Sequence, residues 1–188
     1  MRGEWCYFSS AFTPEQCDYI IEKGLELPVQ DGTTGGNINH QHRRSKVRFI
    51  QKTDSTFTYL FDSLWKMALQ ANDEWFGFHI QKLDYIQLAE YNAEDEGEYK
   101  KHHDIFWINH DSYYHRKLSC VVQLTNPSEY DGGDLELYEL SLSPPLPEAL
   151  RQQGTVIFFP SFIPHAALPV TRGLRRSLAV WFDGPKWR

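Results

Sequence analysis

Apolar positions in the first 75 residues recur with helical spacing, and from Gly77 onward they fall into short alternating runs. Thr13-Pro14-Glu15-Gln16 is a helix start, with Thr13 as N-cap, Pro14 at the first helical position and Gln16 three residues after the cap. Cys17, Ile20, Ile21 and Leu25 continue at helical period, and Gly24 falls where a C-cap would end the helix. The polar stretch Asp31-Gly32-Thr33-Thr34-Gly35-Gly36-Asn37 reads as a mobile loop. A second helix is expected roughly from Ser55 to Asn72, with Phe57, Leu60, Phe61, Leu64, Ala68 and Leu69 as its apolar stripe. Six strands follow: His79–Tyr91, Tyr99–Asp104, Leu118–Leu124, Leu135–Leu140, Thr155–Pro160 and Ser177–Phe182. Asp131-Gly132-Gly133-Asp134 is a tight turn, and a short helix is expected at Glu148–Gln152. Helices followed by a run of short strands predict an α+β, mainly β chain, its strands forming a barrel or jelly roll with the helices packed on one sheet.

Composition narrows the partners. The chain has 188 residues, 41% hydrophobic, enough for one sizeable core. Its formal net charge of −6 argues against a nucleic-acid or anionic-membrane partner, and the basic stretch Arg43, Arg44, Lys46, Arg48 reads as a solvated loop and strand edge. Cys6, Cys17 and Cys120 are odd in number and irregularly spaced, so neither a disulfide framework nor a zinc knuckle is indicated. Reduced thiols, the absence of a signal-like apolar core near the N-terminus and the absence of a membrane-length apolar run lead to a cytoplasmic expectation.

The chemistry concentrates in His102-His103-Asp104, His165 and Arg175. Residues two apart on a strand share a face, so His102 and Asp104 can reach one ion while His103 turns away. Lys100 would share their face, with Tyr99 and Lys101 on the other. His165 follows the Pro160/Pro164 turn and is expected at a strand start facing the same cavity. Two neutral imidazoles and one carboxylate leave a divalent ion with open positions, which favours Fe(II) over structural zinc. On the last strand Arg175, Ser177, Ala179 and Trp181 share one face and Arg176, Leu178, Val180 and Phe182 the other. One of the adjacent arginines is expected to turn inward to a carboxylate and the other to stay in solvent. The other histidines carry no comparable context, although His110 and His115, near Asp111 and Tyr113, could lie at a rim.

An ordered set of motifs spans residues 91 to 181: Tyr91, Gly97-Glu98-Tyr99-Lys100-Lys101-His102-His103-Asp104, Leu118-Ser119, Tyr130-Asp131-Gly132-Gly133-Asp134-Leu135, Phe159-Pro160-Ser161, His165, Pro169-Val170-Thr171-Arg172-Gly173-Leu174-Arg175-Arg176-Ser177-Leu178 and Trp181. In this order they resemble the 2-oxoglutarate- and iron(II)-dependent dioxygenases of the prolyl 4-hydroxylase type. Arg43-Arg44-Ser45-Lys46-Val47-Arg48-Phe49-Ile50 resembles that family's upstream Arg-x-Ser strand. The resemblance implies a double-stranded β-helix with N-terminal helices on one sheet. It implies a single domain over 1–188, with 1–75 as helical support and lid loop and 77–184 as β-helix core. It carries over His102, Asp104 and His165 as iron ligands, and Arg175 as partner of the distal carboxylate of 2-oxoglutarate. Tyr91 and Trp181 match aromatic positions lining that pocket. Gln123 stands where some relatives place a Tyr that hydrogen-bonds the same carboxylate. An acid at 104 argues against halogenation.

The implied reaction consumes O2 and 2-oxoglutarate, releases succinate and CO2, and hydroxylates a C–H bond; ascorbate is a candidate reductant. The loop at 31–37 with Arg43 and Arg44 resembles the region that folds over a peptide in protein prolyl hydroxylases, so the expected substrate is a prolyl residue in a protein or peptide. The competing readings are hydroxylation of a free amino acid or other small molecule, and a non-catalytic metal-binding β-helix module. Demethylation of nucleic-acid bases is disfavoured by the acidic charge.

Overall fold

A computed structural model describes residues 1–34, 36–105 and 113–187. In chain order the elements are β1 (Cys6–Phe8), α1 (Pro14–Leu25), β2 (Gln30–Asp31), β3 (Thr33–Thr34), β4 (Asn37–Ile38), β5 (Arg43–Arg44), β6 (Lys46–Gln51), α2 (Thr58–Ala71), β7 (Tyr85–Asn92), β8 (Glu98–His102), β9 (Tyr114–Gln123), β10 (Tyr130–Gly132), β11 (Leu135–Leu137), α3 (Pro147–Arg151), β12 (Val156–Pro160), β13 (His165–Ala167) and β14 (Val170–Pro185). A large antiparallel sheet runs β1-β12-β9-β14-β7-β6-β2, with β10 also pairing β14; a smaller one runs β11-β13-β8-β5. Both sheets take strands from the first 51 residues, so the N-terminal region contributes to the β core as well as supporting it.

The alternation of the last strand organises the molecule. Leu178, Val180 and Phe182 point outward into a core shared with Cys17 and Ile20 of α1 and with Leu60, Phe61, Leu64 and Ala68 of α2. Arg175, Ser177, Ala179 and Trp181 point inward and line a cavity of about 580 Å³. The helices therefore cover one face of the large sheet, as the sequence predicts.

Local chemistry sets the helix ends. Thr13 Oγ1 accepts from the Gln16 N–H, and Gln16 Oε1 accepts from the Thr13 N–H, completing the capping box. Gly24, however, is not a cap. It lies inside α1, buried, and the helix ends at Glu26 in right-handed geometry. A Cβ on Gly24 would stand 2.5 Å from Leu88 Cδ2, so this glycine lets the helix approach β7. It displaces Leu25, which is exposed, from the expected stripe; in α2 Leu69 is likewise exposed while Ala71 is buried. The helical stretch begins with a 3-10 turn at Ser55–Phe57 and extends beyond Asn72 through a wider turn to Phe76, closed by Gly77 at φ 70°.

The six strands expected from Gly77 onward are present and differ mainly in length, whereas β1, β2, β3, β4 and β10 are additional. β14 runs sixteen residues instead of six, because each flank finds a partner in β7, β9 or β10. Residues 79–84 precede β7 and join the sheet through an isolated bridge between Lys82 and Asp183 and a further hydrogen bond from the Gln81 N–H to the Asp183 carbonyl. The stretch at 31–37 is not wholly irregular: β2 pairs with β6, and β3 with β4. The basic stretch is only partly solvated, since Arg43 is buried and Arg48 is partly buried against Glu90.

Cys6, Cys17 and Cys120 are free and buried, and burial pushes the thiols of Cys6 and Cys17 up to about 12. Among the described residues no helix is long and apolar enough to cross a membrane. Gly24→Val should destabilise the fold by about 1–3 kcal/mol by forcing α1 off β7, measured as a lower urea midpoint at unchanged m-value.

Candidate active site

The end of β8 and the start of β13 are paired so that His102 lies opposite His165. Asp104 follows two residues beyond His102, where its N–H donates to the Ser161 carbonyl (2.9 Å). Ligand atoms from these three residues all lie within 4.8 Å of one another. The Nδ1 atoms of His102 and His165 lie 2.7 Å from the Lys100 carbonyl and 3.0 Å from the Ile163 carbonyl. A carbonyl only accepts, so each Nδ1 carries the proton and each Nε2 keeps a lone pair. Those Nε2 atoms face Asp104, at 3.8 Å for His102 and 3.5 Å for His165.

Electrostatics keeps the set in its metal-ready form. Burial pushes the His102 pKa down to about 3, helped by His165, so the imidazole is neutral near pH 7. Burial alone would raise Asp104; the groups around it, the Arg116 guanidinium and the Ser119 hydroxyl among them, outweigh it and hold the carboxyl at about 2. Ser119 Oγ donates to Asp104 Oδ2 (2.7 Å) and lies 2.9 Å from Ser161 Oγ. Two bare imidazole nitrogens and one ionised carboxylate on one wall of an open cavity fit a divalent ion that keeps other positions free.

The small sheet departs from strict alternation beside the site. Between its pairings with Ala167 and His165, β8 takes three steps, from Tyr99 to His102, where β13 takes two. This bulge brings Tyr99 and His102 to the same face. Their rings stack at 3.5 Å with 13° between planes, and both line the cavity. Tyr99 therefore faces inward, contrary to the alternation expected from sequence, and Lys100 is exposed. His103 stays outside the ligand set but contributes to the cavity wall, because β8 has ended before it.

Among the described residues Arg175 is the largest fully buried side chain, 2% exposed, and it lies opposite Tyr91 across β7 and β14. Its Nη2 donates to Gln123 Oε1 (2.9 Å), its Cζ stands 5.5 Å from the Tyr91 ring centre, and its Nε has no hydrogen-bond partner. Gly133, at φ 66°, makes room: a Cβ there would meet Arg175 Cδ at 2.9 Å. Gln123 is not part of the cavity wall; it holds the guanidinium from behind. Trp181 lies six residues from Arg175 on the same strand, roughly 20 Å at strand rise. It pairs with Ser119, the Asp104 partner, and carries the Arg116 guanidinium 3.8 Å above its ring. Trp181 thus walls the metal end of the cavity, whereas Tyr91 walls the Arg175 end. Arg176 does not stay in solvent. It takes the other face and pairs with Glu90 (2.7 Å), which also pairs with Arg48.

Arg43 and Arg44 separate. Arg43 is buried, lines the cavity and lies over Tyr99 (4.4 Å). Arg44 is outside the cavity wall. Its guanidinium binds the carbonyls of Asp95 and Glu96 and the carboxylate of Glu98 (2.9 Å), tying β5 to the turn before β8. His110 and Asp111 lie outside the described residues. His115 is buried on β9 and is not a rim residue. Ser119, Ser161, Tyr99 and Arg116 also take part in the site, beyond the residues expected from sequence. The available signal is a serine inside one apolar strand run and another directly after a second, since a buried hydroxyl needs a partner.

Fold and site together define a class: a double-stranded β-helix bearing a two-histidine, one-carboxylate centre with a buried arginine at the far end of its cavity. Residues 86–183 match the 2OG-Fe(II) oxygenase superfamily, and the chain belongs to that family. Two relatives are PKHD-type hydroxylases. The one from Synechococcus sp. (strain CC9311) is 32% identical over 171 residues, covering 89% of this chain and 72% of that protein. The one from Aliarcobacter butzleri (strain RM4018) is 28% identical over 174 residues, with the same coverage. The fold is similar to that of a prolyl hydroxylase from Trichoplax adhaerens solved with a hypoxia inducible factor peptide fragment (TM-score 0.75, 17% identity, 96% of this chain and 83% of that one).

Ser119→Ala removes the hydroxyl that orients Asp104. It should weaken Fe(II) or Mn(II) binding by about 10- to 100-fold, read by metal titration of the purified protein.

Proposed function

We propose that this protein is an Fe(II)- and 2-oxoglutarate-dependent dioxygenase that hydroxylates a prolyl residue in a protein or peptide. The observation that carries the dioxygenase part is the convergence of His102, Asp104, His165 and Arg175 on one cavity. When bound, Fe(II) and 2-oxoglutarate supply O2 activation coupled to oxidative decarboxylation, which delivers one oxygen atom to a C–H bond and leaves succinate and CO2.

The chain's own residues do the positioning. His102, Asp104 and His165 would hold the ion by one side and leave its other side to the cavity. Arg175 would receive the distal carboxylate of 2-oxoglutarate, and its unpartnered Nε–H is a donor that such a carboxylate would satisfy. Gln123 spends its carbonyl oxygen on Arg175, fixing the fork before the co-substrate arrives. Tyr91, Ser177 and Ala179 would line the path between Arg175 and the metal. Trp181 and Tyr99 would exclude water at the metal end, where the oxidant must form only beside substrate. Ascorbate, as an external reductant, needs no site in this scheme.

The prolyl reading is supported by the motif resemblance, by the likeness to a prolyl hydroxylase solved with a peptide, and by the β3–β4 hairpin, whose Thr33 and Gly36 form part of the cavity wall. An intact donor set with an intact arginine argues against a non-catalytic module.

Succinate should form from 2-oxoglutarate with Fe(II) and a prolyl peptide, with a +16 Da shift on Pro by mass spectrometry. His102→Ala should abolish both. Arg175→Met should raise the KM for 2-oxoglutarate by about 100-fold or more while metal affinity stays near wild type. Turnover on non-prolyl substrates with none on any prolyl peptide would overturn the prolyl assignment.

A further inference from the structure

Arg43 is a second arginine of the cavity wall whose hydrogen bonds do not close. It is 5% exposed. Its Nε donates to Ser45 Oγ (2.8 Å) and its Nη1 to the Thr33 carbonyl (3.1 Å). Its Nη2 is buried and has no hydrogen-bond partner. Among the described residues no carboxylate forms an ion pair with it, although Arg44, Lys46 and Arg48 beside it in sequence all have one. A buried cation with an unmet N–H is costly to keep, and a ligand is one way such a donor is satisfied.

Position and charge identify that ligand. The Arg43 guanidinium stacks on the Tyr99 ring, which stacks on the imidazole of His102, so the cation stands one ring away from a metal ligand. In the proposed assembly, Fe(II) and Arg175 balance Asp104 and the two carboxylates of 2-oxoglutarate, and Arg116 and Asp183, the other charged residues of the cavity wall, are opposite in sign. Arg43 stands outside that balance, in a chain whose overall charge is −6. A planar guanidinium in a partly dry cavity selects a carboxylate above a neutral carbonyl.

We infer that the substrate presents a carboxylate to Arg43, close to the C–H bond that is attacked. The inference rests on the hydroxylase reading of the site and narrows its substrate class. Two sources share this chemistry: the α-carboxylate of a free amino acid or chain end, and an acidic side chain flanking the target residue in a peptide.

Matched acid and neutral compounds separate the possibilities. N-acetylproline is compared with N-acetylproline amide, and acetyl-Glu-Pro-amide and acetyl-Pro-Glu-amide with their Gln counterparts. N-acetylleucine and its amide serve as a non-prolyl pair. Binding is read by anaerobic calorimetry with Mn(II) and 2-oxoglutarate present, and hydroxylation by mass spectrometry with Fe(II). The acid member of at least one pair should bind about tenfold tighter or more. Arg43→Gln should erase that ratio, and Arg43→Lys should retain part of it. Because a ratio is read, a general loss of folding or activity does not imitate the result. Preference confined to N-acetylproline assigns the α-carboxylate, and preference confined to the Glu peptides assigns an acidic flank. Acid preference with oxidation of the leucine pair alone would remove the prolyl reading and keep the carboxylate. Equal binding of acids and neutrals in every pair, or an unchanged ratio in Arg43→Gln, would overturn the inference.

Discussion

The structure around the cavity depends on keeping Asp104 ionised in the interior. An isolated buried carboxylate costs several kcal/mol, so its neighbours have to compensate. Ser119 donates to one of its oxygens and the Arg116 guanidinium favours its charged form, while the imidazoles of His102 and His165 stand on its open side with their protons committed to backbone carbonyls. That commitment leaves lone pairs, not protons, facing the carboxylate. Three acceptors turned toward one point repel one another until a cation stands between them, and a divalent ion resolves the conflict.

The same strategy of incomplete satisfaction recurs at a distance from Asp104. Arg175 is held by Gln123 and given room by Gly133, yet its Nε–H is unmet. Arg43 is held by Ser45 and Thr33, yet its Nη2 is unmet. Each guanidinium is oriented by protein on one side and left open on another. This is the condition for a preorganised binding group: little reorganisation is needed when a ligand arrives. Arg176 and Arg44 show the contrast. Both are fully engaged with carboxylates, and neither takes part in the cavity wall.

The large sheet makes this possible by separating its two duties. Outward side chains of β14 join the helical core, and inward ones carry chemistry. Rigid backing of the inward face by an apolar layer fixes Arg175 relative to the strands that carry Ser119 and Tyr91. Among the described residues the small sheet departs from that regularity at the β8 bulge, and the departure is what stacks Tyr99 on His102 and carries Arg43 to the edge of the candidate metal site.

The helices, the inward face of β14 and the place of His165 at a strand start were legible in the chain alone, as were the residue types of the candidate metal centre. These follow from local rules: a capping box, a side-chain period of two, and the donor chemistry of His and Asp. Only the tertiary structure decided the rest. Gly24 became a point of close approach because Leu88 from another element needs its space. Tyr99 turned inward because β13 is one residue shorter than β8 across their pairing, which neither strand reveals alone. Gln123 became a support for Arg175, and Trp181 moved to the metal end, because the pairing of β9 with β14 sets which residues meet. Arg43 and Arg44, adjacent in the chain and alike in charge, parted to opposite environments for the same reason: burial and partnership are set by what comes near in space, and the linear chain records only what is near in sequence.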